Sequence, residues 1–364
     1  MQLLPALQSG GVERSTLEIG AALVAAGHRS LVVSAGGRLV PALEAAGSIH
    51  IALDIGAKSL RTPWRARALR RLIEQHRPDI VHARSRLPAW VARLALRAMA
   101  APPHFVSTVH GLNSPGRYSA VLTRGERVIC VSQTVRGHLL EHYPDLDPAR
   151  LRVIERGVEA TEFPHGFVPD GDWTRRFFDA HPQLAGGVLL CLPGRGTRLK
   201  GHADALRLVA DLRRDGIDAR LLLLGADEPG RGAYLAELRA LAERLNVTAV
   251  LAITPPRADV REALAASALV LQLSSKPEAF GRTVVEALSL GRPMLGCDHG
   301  GVGELLAAHF PAGRVVPGDA AATLAIAKTL LALPRPLPPL SGLPTRAAMQ
   351  EATLALYREV IDGG

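Results

Sequence analysis

The sequence has few of the residues that disulfide, metal or nucleic-acid chemistry requires. Its three cysteines, Cys130, Cys191 and Cys297, are odd in number and widely spaced, and each lies in or beside an apolar run. This pattern predicts buried, reduced thiols and gives neither a disulfide framework nor a zinc spacing. Aromatic residues make up only 4% of the chain, which argues against stacking platforms for single-stranded nucleic acid.

Long apolar runs are also absent. No segment approaches the length needed to span a bilayer, and residues 1–5 (MQLLP) lack the charge and apolar core of a signal peptide. A hydrophobic content of 48% with 21% charged residues is typical of a well-packed soluble protein. We therefore expect a cytoplasmic protein.

The net charge of +9 is unevenly distributed. Residues 1–170 carry 21 Lys and Arg against 14 Asp and Glu, and the segment 58–97 carries 11 basic residues against only Glu74 and Asp79. Two interpretations stay open for this basic segment: a solvated helical face, or a surface that meets anionic lipid head groups or a phosphorylated acceptor. Nucleic acid is not an expected partner, because no recognised module accompanies the charge. The arginines that dominate the segment are Arg61, Arg65, Arg67, Arg70, Arg71, Arg93 and Arg97.

The length of 364 residues suggests about two domains, and short apolar runs alternate with amphipathic segments in both halves. This alternation predicts parallel, doubly wound α/β sheets. Predicted strands are Leu31–Val33, Ile49–Leu53, Asp79–His82, Phe105–Val109, Val128–Val131, Leu151–Ile154, Val188–Leu192, Ala219–Leu224, Ala249–Ile253, Ala268–Leu273, Pro293–Gly296 and Arg314–Val316. Predicted helices are 12–26, 63–76, 88–100, 132–142, 172–180, 202–215, 231–245, 257–266, 281–290, 319–333 and 345–361. The predicted domains are 1–160 and 161–340, followed by a C-terminal helix in 341–364.

Two acids follow one predicted strand. Glu278 lies in the loop after Ala268–Leu273, and Glu286 lies eight positions later in the next helix. Ligands bind beyond the carboxyl ends of strands in such sheets, and N–H groups at a helix start attract phosphate. The pattern indicates a nucleotide-sugar site in outline, although a strand, loop and helix with two acids can also be plain scaffold.

Cations and glycines follow other strands. Gly194, Arg195 and Lys200 come after the first strand of the second domain, where two cations would neutralise a diphosphate. Gly10 and Gly11, with Ser9 before them and Arg14 after them, open the first helix, and adjacent glycines there let a ligand approach the backbone. A basic turn and an ordinary glycine turn are the alternatives.

Three further positions lie at strand ends in the first half. His110 ends a strand, as a structural histidine or as a site residue, and Arg84 and Arg86 follow the preceding strand, where they could hold a phosphate or carboxylate of an acceptor. Asp145 and Asp147 have the spacing of a metal-bound sugar-nucleotide motif, but their proline-flanked setting indicates a loop.

Together these segments resemble one family, the retaining GT-B glycosyltransferases of the "group 1" class, glycosyltransferase family four. The segment Gly10 to Arg14 resembles its glycine loop, Arg195 and Lys200 its donor-phosphate pair, and Pro277 to Arg282 with Glu286 its E-x7-E signature. The resemblance covers nearly the whole chain, and it is greatest to bacterial transferases that build lipopolysaccharide core or other surface glycans.

The resemblance implies two Rossmann-like domains facing each other across a cleft, with the last helix crossing back to the first domain. It implies a nucleoside-diphosphate sugar as donor, a glycan or glycolipid as acceptor, and neither a metal nor another cofactor. Glu286 would accept hydrogen bonds from the ribose, and His110 would lie near the sugar ring. The residues implied to face the donor sugar are Glu278 and the backbone of Ala279, Phe280, Gly281 and Arg282, with Thr283 also in the donor site.

The resemblance also implies retention of anomeric configuration by front-face attack, with Arg195 and Lys200 stabilising the leaving diphosphate. One departure concerns the first strand: only residues 1–7 precede the glycine loop, so we expect that strand to be short or its start to be missing. A sugar-nucleotide epimerase of similar architecture is the alternative enzyme, and a non-catalytic binding protein would be expected to have lost Arg195, Lys200 or the glutamates.

Overall fold

The structure is a computed structural model that describes residues 1–8, 10–57 and 62–363. Ser9 of the predicted glycine loop and Arg61 of the basic segment lie outside these residues. The chain forms two compact units: unit 1 is Met1–Arg156 with Arg346–Gly364, and unit 2 is Gly157–Thr345. The predicted domain boundaries, 160 and 340, lie near this division.

Unit 1 contains a seven-stranded parallel sheet in the order β3-β2-β1-β4-β5-β6-β7. Its first strand is short, as expected, but it pairs on both sides, with Gln2 opposite Val32 and His82. The apolar, β-branched runs of β2 and β4 are buried along their whole length, as strands covered by helices on both faces require. The strands are β1 (Gln2–Leu3), β2 (Leu31–Ser34), β3 (Ile49–Ala52), β4 (Ile80–Ala83), β5 (His104–Val109), β6 (Arg127–Cys130) and β7 (Leu151–Val153).

The helices of unit 1 connect successive strands, and the last helix of the chain joins this unit. That helix buries Met349, Leu356, Tyr357 and Val360 in a cluster with Ile19 and strand residues of the sheet. The helices are α1 (Gly11–Ala25), α2 (Val40–Ala45), α3 (Thr62–His76), α4 (Arg86–Leu96), α5 (Gln133–His142) and, at the end of the chain, α13 (Arg346–Asp362). Short 3₁₀ turns lie at Ser119–Arg124 and Pro148–Arg150.

Unit 2 contains a six-stranded parallel sheet in the order β10-β9-β8-β11-β12-β13. The strands are β8 (Val188–Pro193), β9 (Ala219–Leu224), β10 (Leu251–Ile253), β11 (Leu269–Gln272), β12 (Met294–Cys297) and β13 (Arg314–Val315). The helices are α6 (Gly171–Ala180), α7 (His202–Arg214), α8 (Gly232–Arg244), α9 (Val260–Ala266), α10 (Arg282–Ser289), α11 (Gly300–His309) and α12 (Ala320–Leu331). Further 3₁₀ turns are Pro182–Leu184, Arg198–Lys200, Thr248–Val250 and Pro311–Gly313.

The core of unit 2 shows why its sequence forms these layers. Helix α7 places Leu206, Val209 and Leu212 on one face, with spacings of three residues, and all three are fully buried against the sheet. Each such side chain contributes about 1.5–3 kcal/mol when it leaves water. This apolar stripe fixes α7 against the sheet and thereby fixes the turn that precedes it.

The predicted fold class is confirmed: both sheets are parallel and doubly wound, and α13 returns to the first unit. Two helices were missed. Helix α2 has only six residues, with a proline in its first turn, and is too short to show a helical period. Helix α11 has glycine at three of its first four positions, Gly300, Gly301 and Gly303, and glycine is unfavourable in a helix. The predicted helix 88–100 begins earlier and ends earlier, at Arg86–Leu96.

Candidate functional site

The strand order of unit 2 brings two distant loops together. Strand β8 lies between β9 and β11, so the connections from β8 and from β11 run to opposite sides of the sheet. A crevice opens beyond the carboxyl ends of the strands at such a switch point. The loop after β8 carries Arg195 and Lys200, and the loop after β11 carries Glu278.

Lys200 and Glu278 meet there in an ion pair. The distance from Lys200 Nζ to Glu278 Oε1 is 2.6 Å, and the two side chains are 27% and 24% exposed. Gln272 Nε2 donates to the same carboxylate oxygen at 3.0 Å, and Ser274 Oγ also lies within hydrogen-bonding distance of it. Three donors therefore converge on Oε1 and fix the orientation of the carboxylate.

Gln272 and Ser274 were not among the predicted site residues. Both are buried, and the Ser274 hydroxyl lies 2.9 Å from Gln272 Oε1. The signal in the sequence is an amide inside an otherwise apolar strand, because a buried polar side chain needs a hydrogen-bonding partner. That partner is the carboxylate of the site.

A glycine in the left-handed region sets the position of Lys200. Gly201 has φ +75°, and a Cβ at this position would lie 2.0 Å from the backbone oxygen of Leu273. The Ser275 amide also donates to the Leu199 oxygen at 2.9 Å. The turn that ends in Lys200 is thus packed directly on the strand end that leads to Glu278, and only glycine permits this approach.

Glu286 lies in the first turns of α10, where Arg282 Nε binds its Oε1 at 2.9 Å. The residue is 7% exposed. Helix α10 starts after Gly281, whose φ is +112°. Phe280 is buried, and Thr283 is half-buried beside Arg282. The charge of Glu286 is therefore partly neutralised by Arg282, another predicted site residue of the same helix.

The start of α11 supports the loop from the other side. A Cβ on Gly300 would lie 2.6 Å from the backbone carbonyl oxygen of Glu278, and one on Gly301 would lie 2.4 Å from the backbone carbonyl oxygen of Phe280. The Gly301 amide donates to the backbone carbonyl oxygen of Glu278 at 2.7 Å. These contacts hold the 278–281 backbone between the N-termini of two helices, α10 and α11, where the helix dipoles favour an anion.

The two other predicted residues after β8 differ in their surroundings. Gly194 lies against the Lys200 side chain: a Cβ at position 194 would lie 3.3 Å from Lys200 Cδ. Arg195 is exposed, and in the described part of the chain its guanidinium joins no ion pair. Unlike Lys200, it is not held by contacts with Glu278.

Unit 1 has its own switch point, between β1 and β4. Gly10 precedes α1 with φ +139°, Gly11 is its exposed first residue, and Arg14 is exposed one turn later. Arg84 follows β4 and is only 2% exposed, with Nε donating to Gln2 Oε1 at 2.7 Å and Nη1 to Ser15 Oγ at 2.8 Å. The structure places Arg84 inside the unit, with its hydrogen bonds made to neutral groups.

Arg86 and His110 line one cavity of unit 1. The Arg86 guanidinium lies 5.3 Å from the centre of the Tyr118 ring. His110 Nδ1 lies 2.5 Å from Arg156 Nη2. Burial of the ring, followed by the charges of Arg156 and Arg84, lowers the pKa of His110 well below its ordinary value. His110 is therefore neutral near pH 7 and accepts from Arg156, a residue that the sequence did not single out.

A second buried histidine, His82, is joined to this cavity by a hydrogen bond with Thr108, which lines it. His82 is buried between the Tyr357 hydroxyl, at 2.5 Å from Nδ1, and the Thr108 hydroxyl, at 2.7 Å from Nε2. Burial lowers the pKa of His82 well below its ordinary value, and it raises the pKa of Tyr357 to about 12. Helix α13 thus contributes a tyrosine to the polar core of unit 1.

The basic segment has both paired and unpaired members. Arg65 pairs with Asp54 at 2.7 Å, and Arg70 with Glu74 at 3.5 Å. Burial and the neighbouring arginines 97, 124 and 150 lower the pKa of Arg93. Trp64 on α3 is 74% exposed among these cations. None of the described helices is long and apolar enough to cross a membrane.

The predicted state of the cysteines is confirmed: Cys130, Cys191 and Cys297 are free and buried. Burial raises their pKa values to about 12, about 12 and about 11.

In the Asp145–Asp147 loop, Asp147 Oδ1 accepts from the Ala149 amide at 2.8 Å and caps a 3₁₀ turn. Across the described residues, no group of three or more His, Cys, Asp or Glu is arranged to hold a metal ion.

Comparison with known proteins gives matches to both units. Residues 9–162 match the family model described as Glycosyltransferase Family 4, and residues 175–339 match the one described as Glycosyl transferases group 1. A D-inositol 3-phosphate glycosyltransferase of Rhodococcus erythropolis is 29% identical over 187 residues, which cover 50% of this chain and 40% of that protein. The chain thus spans less than half the length of this curated relative.

Solved structures share the whole fold. A glycosyltransferase from Rickettsia africae is 25% identical with a TM-score of 0.84, covering 100% of this chain and 98% of that one. HepE of Anabaena, in complex with UDP and glucose, is 18% identical with a TM-score of 0.81, covering 98% of each chain. These structures fit the GT-B fold expected from the sequence. The chain is therefore built of two glycosyltransferase-family domains, a Family 4 domain followed by a group 1 domain.

Proposed function

We propose that the protein transfers a hexose-type sugar from a nucleoside-diphosphate sugar to a glycan or glycolipid acceptor. The observation that carries the proposal is the Lys200–Glu278 ion pair at the switch point of unit 2, with the Arg282–Glu286 pair in the following helix. It combines a cation for a diphosphate with acids for sugar hydroxyls. The matched families and the named relatives are transferases, so an epimerase is not favoured.

In the proposed donor complex, Lys200 leaves Glu278 for the diphosphate, and Arg195 adds a second charge. Both cations then stabilise the negative charge that develops as the glycosidic bond breaks, an effect on the order of several kcal/mol for well-placed donors. Glu278, still held by Gln272 and Ser274, is free to accept from sugar hydroxyls. Glu286 accepts from the ribose.

We also propose the stereochemical outcome of the reaction and its cofactor requirement. We assign retention of anomeric configuration to the reaction and no cofactor beyond the donor itself. His110, held neutral by its surroundings, acts by hydrogen bonding to substrate. Activity that survives a chelator would support the absence of a required metal, and a product with inverted anomeric configuration in an NMR assay would refute retention.

Two relatives guide the choice of substrates. HepE is described in complex with UDP and glucose, which supports UDP-glucose as the first donor to try. The Rhodococcus protein is named for D-inositol 3-phosphate, which supports a phosphorylated cyclitol as one acceptor, beside acceptors from lipopolysaccharide core or other surface glycans.

We also propose that unit 1 contacts anionic membranes peripherally, while the protein works in the cytoplasm. Exposed Trp64 and its exposed neighbours on α3, Arg67 and Arg71, support this proposal. Association with vesicles of anionic lipid should weaken as salt rises, because exposed charges are screened. Binding that is indifferent to salt, or equal on neutral vesicles, would count against the contact.

The transfer itself is tested with a panel of nucleoside-diphosphate sugars. Thermal shifts identify the donor, since a ligand at 100 times its dissociation constant adds about 2.7 kcal/mol of stability. Labelled donor then distinguishes the reactions: transfer gives a nucleoside diphosphate and a labelled acceptor, whereas hydrolytic epimerisation gives an altered free sugar. Failure of every nucleoside diphosphate to bind would overturn the proposed function.

A further inference from the structure

The cavity at the switch point of unit 1 has a one-sided charge. Its volume is about 370 Å³, and its lining includes Arg84, Arg86, Thr108, His110 and Asn113. No Asp or Glu of the described residues lines it. A concave site whose only charged groups are cationic favours a ligand of negative charge.

The charge of Arg84 is buried in the wall of this cavity. The residue is 2% exposed, its guanidinium donates to the neutral side chains of Gln2 and Ser15, and it belongs to no ion pair within the described residues. Burial lowers the pKa of Arg84, although Tyr357 and Glu18 act in the opposite direction. Because a buried charge is unfavourable without a counter-charge, an anion in the cavity would stabilise this arrangement.

Arg86 stands at the first turn of α4, which faces the same cavity. Its guanidinium lies against the Tyr118 ring and 3.3 Å from Ser119 Oγ, and it forms no ion pair in the described chain. The N-cap residue Ser85 makes no side-chain capping bond, and Pro88 has no N–H, so the amides of Arg86 and Leu87 are the first-turn donors available to an acceptor atom. A planar fork of donors beside free amides suits a phosphate or carboxylate.

We propose that this cavity binds an anionic group of the acceptor, a phosphate or a carboxylate, with Arg86 as its principal contact. The proposal rests on the proposed function, because it names the acceptor chemistry of that reaction. Arg84 supplies charge from within the wall. Neutral His110 is left as a hydrogen-bonding group beside the anion.

The test uses the full chain with its donor site saturated by a nucleoside diphosphate, so that added anions cannot bind there. Inorganic phosphate and acetate are titrated in separate arms, with methyl glucoside as the uncharged probe, and binding is followed by calorimetry. Arg86→Gln is compared with Arg97→Gln, which removes the same charge from an exposed position just past the other end of α4. Arg86→Lys keeps the charge, and melting temperatures report folding of each variant.

We expect saturable binding of phosphate or acetate to the wild type and to Arg97→Gln. It should be about 10–100-fold weaker in Arg86→Gln, as for the loss of a hydrogen bond to a charged group, and intermediate in Arg86→Lys. The stronger arm identifies phosphate or carboxylate. Equal affinity in folded Arg86→Gln, or no saturable anion binding at all, would overturn the proposal. Loss of nucleoside-diphosphate binding is a separate result, because it contradicts the proposed function and leaves this subsite untouched.

Discussion

Replacing Lys200 with alanine should lower turnover far more than it lowers stability. The change removes the 2.6 Å ion pair with Glu278, but Gln272 and Ser274 still donate to the carboxylate. Glu278 is therefore not left without partners in the variant. The folded state should lose little, whereas the proposed leaving diphosphate loses a cation.

The two effects differ enough in size to be separated. At 2.6 Å and an effective dielectric constant near 20, the Coulomb attraction of the pair is about 6 kcal/mol. Desolvation and side-chain ordering offset most of it, since exposed pairs contribute only about 0.2–1 kcal/mol. With each side chain about a quarter exposed, we expect a net loss of about 1 kcal/mol, or roughly 2–4 °C in the melting temperature of a unit of this size. Loss of one transition-state donor typically lowers kcat by about 10²–10³-fold.

The assay is release of nucleoside diphosphate at saturating substrates, with calorimetric melting of the same samples. Arg198→Ala is the matched control, because Arg198 belongs to the same 3₁₀ turn and pairs with Glu237 on the protein surface. The control should retain nearly full activity. A Lys200→Ala enzyme with more than about a tenth of wild-type turnover, or one that fails only because it unfolds, would refute the assigned role.

Three further predictions concern stability and orientation. In denaturant unfolding, Gly201→Ala should destabilise the protein by at least about 2 kcal/mol more than Gly216→Ala. Both glycines have positive φ, but only a Cβ at position 201 would meet a backbone oxygen, at 2.0 Å. Equal losses of stability would contradict the packing of the turn at Gly201. The free energy of unfolding should fall as pH drops from 7 to 5, because burial lowers the pKa values of His82 and His110 whereas the same residues take up protons near pH 6.5 in the unfolded chain. The fall over this range is at most about 2 kcal/mol for each of the two histidines. His82→Asn should flatten this slope and exposed His28→Asn should not, so equal slopes in the two variants would be evidence against the neutral buried state. Gln272→Leu should lower kcat about tenfold, because a hydrogen bond to the charged Glu278 is lost. The affinity for nucleoside diphosphate should stay near that of the wild type. A parallel fall in this affinity would indicate that Gln272 has only a structural role.

Much of the fold follows from local patterns in the sequence. Buried strands such as Ala219–Leu224 have continuous apolar runs, and that strand was predicted with its observed bounds. Helix α11 could not be predicted in this way, because three of its first four residues are glycines. It forms because only glycine fits against the 278–280 backbone, and tertiary packing there outweighs low helix propensity.

The candidate site was predictable in its parts and less so in its contacts. The chemistry of Lys200 and Glu278 indicated a donor site, but their direct contact depends on β8 lying beside β11, which the sequence does not specify. Arg84 illustrates the converse limit. Its position after a strand predicted a ligand contact, whereas its hydrogen bonds to Gln2 and Ser15 place it in the wall of the site.

The most direct test of the proposed function is a crystal structure with a bound nucleoside diphosphate. We predict that the diphosphate lies beyond the carboxyl ends of β8 and β11, within about 3 Å of Lys200 Nζ, and that the ribose hydroxyls lie at Glu286. The Lys200–Glu278 contact should then be opened. A nucleotide bound elsewhere, with Lys200 still paired to Glu278, would contradict the account.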